Sequence, residues 1–126
     1  MRAVDTNVLV RLIARDDPRQ VAAAEAFVGT GAWVSLLALG ETVWVLAAVY
    51  DRTAAQIAAA VDHLLEHDTL SLQEPDVVRA ALAQFRAKPR LGFTDCLMVQ
   101  IALKAGHVPL GTFDKALGTL EGAQRL

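Results

Sequence analysis

Residues 1–15 read MRAVDTNVLVRLIAR. The stretch opens with a short apolar strand ending at Asp5, and "VLVRLIARD" continues as a helix. An acid thus stands where a strand turns into a helix. In a parallel α/β sheet such junctions gather along one edge, and ligands bind there. Three further acids stand at or near comparable junctions: Glu41 in "LLALGETVWVL", Asp95 in "FTDCLMVQIA" and Asp114 in "LGTFDKAL". If they meet, they repel by roughly 4 kcal/mol per pair at ~4 Å and an effective dielectric near 20. A divalent cation removes that difficulty.

The rest of the chain repeats the alternation. Asp17 caps a helix with Pro18 in its first turn, running through "QVAAAEAFV" to Gly29 and Gly31. "AWVS" is a strand, Leu36 to Tyr50 a helix, and Asp51-Arg52-Thr53 a turn and a new cap. Ile57, Val61, Leu64 and Leu65 fall at helical spacing. "TLSL" is a third short strand, and Pro75-Asp76 begin a helix reaching Lys88. "FTDCLMVQIALKAG" is a helix closed by Gly106, "VPLGTF" a strand and "GAQRL" a final edge strand. Short strands alternating with helices predict a three-layer α/β/α domain with a short central parallel sheet.

At 126 residues the chain suits one domain, 1–126. Glu41 interrupts the longest apolar run, well short of the ~20 residues of a membrane span. The opening residues meet an acid at once, which predicts no secretory signal. The single cysteine, Cys96, excludes an internal disulfide framework and fits a reducing cytoplasm. A net charge of −2 gives no global basic signature, so a nucleic-acid partner requires a local patch.

Each acid also has a purely structural reading. Asp5 suits a helix cap, and Asp5-Thr6-Asn7 places three polar side chains within reach of one site. Glu41 shares its helix face with Leu37, Ala38, Trp44 and Val45. A carboxylate there is costly to bury unless paired with Arg or Lys or bound to metal. Asp95 lies in the first turn of its helix, favoured by the dipole, inside a strongly apolar stretch. Asp114 suits a cap for "KALG", and Thr112 either orients a carboxylate or bonds to backbone. His63 and His67 lack a third ligand and read as surface residues. Cys96 reads as core. Oxygen-only donors favour Mg²⁺ or Mn²⁺ over zinc. Arg11, Arg15, Arg19, Arg79, Arg86, Lys88, Arg90 and Lys115 form either a solvated face or a set that holds a polyanion beside the acids. Trp33, Trp44 and Tyr50 serve the core or a partner.

Together, Asp5-Thr6-Asn7 after the first strand, Glu41 in its helix, "FTDCLMVQIA" and "LGTFDKAL" resemble the PIN-domain ribonucleases, and among them the VapC-type toxins of toxin–antitoxin pairs. The resemblance runs along nearly the whole chain, in order. It implies that Asp5, Glu41, Asp95 and Asp114 hold Mg²⁺ or Mn²⁺, with Thr6, Asn7 and Thr112 as supporting polar groups and Arg11, Arg15, Arg86, Lys88, Arg90 and Lys115 available to RNA. It also implies hydrolysis of RNA by an activated water, leaving 5′-phosphate and 3′-hydroxyl ends, with no protein nucleophile. A homodimer, silenced by a cognate antitoxin, is implied too. Two positions depart from the family: Ala116 stands where members often carry a further acid, and Thr94 where they often carry alanine.

Other readings are a catalytically degenerate binding module of the same fold, an aspartate-nucleophile phosphatase and a receiver-like domain. The phosphatase needs an acid where Asn7 stands. The receiver needs an adjacent acid pair after the first strand.

Overall fold

Asp17 accepts a hydrogen bond from Gln20 N, and Thr53 forms a reciprocal capping box with Gln56. Gly106 closes the helix from Phe93 in the left-handed conformation. These local signals place most boundaries in the computed structural model, which describes residues Met1–Leu126. The chain forms two compact units, Met1–Pro75 and Asp76–Leu126.

The first unit runs β1 (Arg2–Ala3), α1 (Thr6–Ala14), α2 (Pro18–Val28), β2 (Ala32–Val34), α3 (Leu36–Ala48), α4 (Ala54–Glu66) and β3 (Leu70–Leu72). Its strands pair in parallel in the order β1-β2-β3, with Arg2 opposite Ala32 and Ala32 opposite Leu70. Each crossover carries two helices, and α1 packs on both α2 and α3. Leu9, Val10, Val28, Leu39, Leu46 and Val61 are among its buried side chains. In β2 and β3 burial alternates, with Trp33 and Ser71 outward and their neighbours inward, as the period of a strand requires.

The second unit contains α5 (Pro75–Ala87), a 3₁₀ turn at Pro89–Leu91, α6 (Phe93–Ala105), β4 (Leu110–Thr112), a 3₁₀ turn at Leu117–Thr119 and β5 (Ala123–Arg125). β4 and β5 pair in parallel as a sheet of their own. The single central sheet expected from sequence is thus resolved into one ladder of three strands and one of two. Each strand is only two or three residues long, so every ladder is short. Phe85 and Phe93 meet edge to face at 6.0 Å in the buried interior of this unit. No helix is long and apolar enough to cross a membrane.

Candidate functional site

In the first unit, the turn from β1 into α1 fixes Asp5. Its Oδ1 accepts from Val8 N at 3.2 Å, so the carboxylate caps α1 and the helix dipole favours its charge. Thr6, the next residue, donates its hydroxyl to Glu41 Oε2 at 2.8 Å. One hydrogen bond therefore ties the first helix to the acid of α3 and brings Asp5 and Glu41 into one neighbourhood. Asn7 is exposed beside them and lines a groove of about 410 Å³ with Arg11, Gln20 and Phe27.

Glu41 corrects the sequence reading. Its face was expected to be buried because its helical neighbours are apolar. Glu41 is exposed, and so are Leu37 at 72% and Trp44 at 64%. The buried side of α3 is instead carried by Ala38, Leu39, Thr42, Val43 and Leu46. Nearly every position of this helix is apolar, so periodicity could not say which side turns inward.

In the second unit, Gly92 turns the chain from the 3₁₀ segment into α6 with φ +77° and ψ 145°, a conformation suited to glycine. That turn sets Asp95 in the first turn of α6. Asp95 is half-buried and has no hydrogen-bond donor and no cationic partner. Burial pushes its carboxyl above the ordinary range, and the charge of Asp114 adds to the shift. Asp114 is exposed and caps the following turn, its Oδ1 accepting from Leu117 N at 2.8 Å. The Thr112 hydroxyl accepts from Asp114 N at 3.0 Å, the backbone role among its two readings. The Cys96 thiol is buried, and burial together with the Asp95 charge pushes its pKa up, away from a reactive thiolate.

Neither unit by itself gathers three or more carboxylate, imidazole or thiol groups in a metal-holding cluster. Asp95 and Asp114 are near enough for the charge of Asp114 to act on Asp95, and Glu41 is hydrogen-bonded to Thr6, the chain neighbour of Asp5. His63 and His67 are exposed, and a cleft of about 930 Å³ that they line among α1, α2 and α4 contains none of the four acids.

The basic residues divide into two groups. Arg11 is bound to Asp16 at 3.0 Å, to the Tyr50 hydroxyl at 2.9 Å and to Gln20. Tyr50 donates in turn to Asp16 at 2.8 Å, which holds that carboxyl below its ordinary range. Arg15 pairs with Glu25 at 2.6 Å. Arg86 takes part in the chain's own interactions. Lys88, Arg90 and Lys115 are exposed, without such partners, and line one cleft. Sequence spacing could not separate the groups, because the acids that engage Arg11 and Arg15 lie five and ten residues further along the chain.

The family model of the PIN domain matches residues 2–122. The chain belongs to the PIN-domain family. No curated protein and no solved structure matches it. The PIN domain is a nuclease-type fold, and its members are generally metal-dependent nucleases, which places this chain with the hydrolases in general terms.

Proposed function

We propose that this PIN domain is a metal-dependent endoribonuclease whose metal-holding acids are Asp5, Glu41, Asp95 and Asp114. The observation that carries the reading is Asp95: a half-buried carboxylate with no donor and a second acid nearby. Such a group is unfavourable as it stands and becomes favourable with a cation. Asp5 and Asp114 support the same reading. Each commits Oδ1 to a backbone cap, which fixes the carboxylate and leaves Oδ2 to a ligand.

The donor set is oxygen only, which fits Mg²⁺ or Mn²⁺. When bound, such an ion supplies Lewis acidity, making water more acidic and offsetting charge on a phosphate. The chain's own groups do the rest. Thr6 fixes the orientation of Glu41, the cap bonds hold Asp5 and Asp114, and the apolar surroundings of Asp95 strengthen its attraction for a cation. No side chain is required as a nucleophile.

A toxin role, with a cognate antitoxin, a homodimer and action in the cytoplasm, extends the reading. Leu37, Trp44 and Val49 of and just beyond α3 are 72%, 64% and 67% exposed, which supports a protein partner. The test is hydrolysis of end-labelled RNA by the full chain with Mg²⁺ or Mn²⁺. Cleavage is expected with either ion and not in EDTA, nor in Asp95→Asn. Cleavage by Asp95→Asn at the wild-type rate would remove the proposed role.

A further inference from the structure

Three cations that pair with nothing share one cleft of the second unit. Lys88 precedes the 3₁₀ turn Pro89–Leu91, Arg90 sits within it, and Lys115 follows Asp114. They line a cleft of about 630 Å³ whose other walls are Ala87, Pro89, Leu91, Ala116 and Thr119. No acid lines it, in a chain whose net charge is −2. Three other cations are matched by carboxylates: Arg11 has Asp16, Arg15 has Glu25 and Lys104 has Asp76. Here the positive charge is left concentrated, and an anion would relieve it.

We infer that this cleft is a nucleotide subsite, in which Lys88, Arg90 and Lys115 hold a phosphate of a single-stranded RNA and the wall of Pro89, Leu91 and Ala116 receives its base or ribose. The rim supplies charge and directional donors, with a planar guanidinium suited to phosphate oxygens. The apolar wall supplies a surface that inorganic phosphate alone does not use. Ala116 matters because a carboxylate there would cancel part of the rim's charge. The subsite lies one residue along the chain from Asp114, so it would grip the strand beside the acid pair of its own unit. The inference deepens the nuclease reading and rests on it for the identity of the anion.

The test is binding of a short fluorescein-labelled single-stranded RNA to the full chain in EDTA, by anisotropy across a salt series. Each phosphate contact contributes about 0.7 to the slope of log K against log salt for single strands. The triple variant Lys88→Ala/Arg90→Ala/Lys115→Ala gives up that one phosphate contact and is expected to flatten the slope by about 0.7, and each single variant by part of that. Ala116→Asp is expected to weaken binding as well. A nucleoside monophosphate should displace the RNA at lower concentration than inorganic phosphate. These side chains are exposed, so an unchanged melting temperature checks the fold. A triple variant with the wild-type slope, or a wild-type chain that binds no RNA, overturns the subsite, and equal potency of phosphate and nucleotide overturns the role of the apolar wall. Because EDTA prevents metal-dependent cleavage, the two readings fail separately. Lost slope without any cleavage under Mg²⁺ or Mn²⁺ retires the nuclease and keeps the subsite. Retained slope with cleavage retires only the subsite.

Discussion

Replacing Asp5 in two ways separates its structural role from its chemical one. The carboxylate caps α1 through Oδ1, and asparagine caps about as well as aspartate, whereas alanine costs typically ~1 kcal/mol. At ~2.1 cal/mol/K of unfolding entropy per residue, 126 residues give about 260 cal/mol/K, so ~1 kcal/mol lowers Tm by about 4 °C. Asp5→Ala is therefore expected to melt about 4 °C below wild type by circular dichroism in EDTA. Asp5→Asn should lose less than half as much, since it keeps the Val8 bond. Against labelled RNA with Mn²⁺, both variants should be inactive, because an amide oxygen is a neutral and weaker ligand than a carboxylate. The reasoning is refuted if asparagine destabilises as much as alanine, or if it cleaves like the wild type.

Asp95 has a raised pKa, so its contribution to stability is fully present below the ordinary value of 3.8 and is lost as pH rises through the folded-state value. Asp95→Asn should therefore raise the urea midpoint of the metal-free chain at pH 7, a gain that disappears in acid below 3.8; the same midpoint at both pH values would contradict the desolvation argument. Phe93→Ala removes a side chain 1% exposed and packed on Phe85, and should cost about 3–5 kcal/mol in denaturant titration. Gly92→Ala forces a Cβ into a positive-φ conformation and should cost about 1–3 kcal/mol, measured the same way. Thr6→Val retains shape but frees Glu41 Oε2, and should reduce cleavage more than it shifts the melting temperature.

Much of the architecture is readable from local chemistry alone. Asp17 with Pro18, Thr53 with Gln56, and Gly106 each state a helix boundary through groups within three or four residues. The two cap bonds of Asp5 and Asp114 were legible for the same reason. Long-range facts were not. Nothing near Arg11 in sequence announces Tyr50, 39 residues away, as its partner. The exposure of Glu41 was hidden because α3 is apolar on nearly all sides, and Thr42 completes its buried face by donating to the Ala38 carbonyl at 2.7 Å. The cleft of Lys88, Arg90 and Lys115 joins the segment Lys88–Leu91 to Lys115 and Ala116, far along the chain, and spacing does not reveal that meeting. The acids themselves stood out because each stands at or near the passage from a strand-like to a helix-like run, and Thr6 bonds to one of them, Glu41.

Mn²⁺ binding followed by electron paramagnetic resonance on the full chain tests the central idea most directly. The wild type is expected to bind the ion, and Asp5→Asn and Asp95→Asn are each expected to lose most of its affinity, since each removes a charged oxygen donor. Wild-type affinity in either variant, with its fold intact, would contradict the proposal that this acid holds the metal.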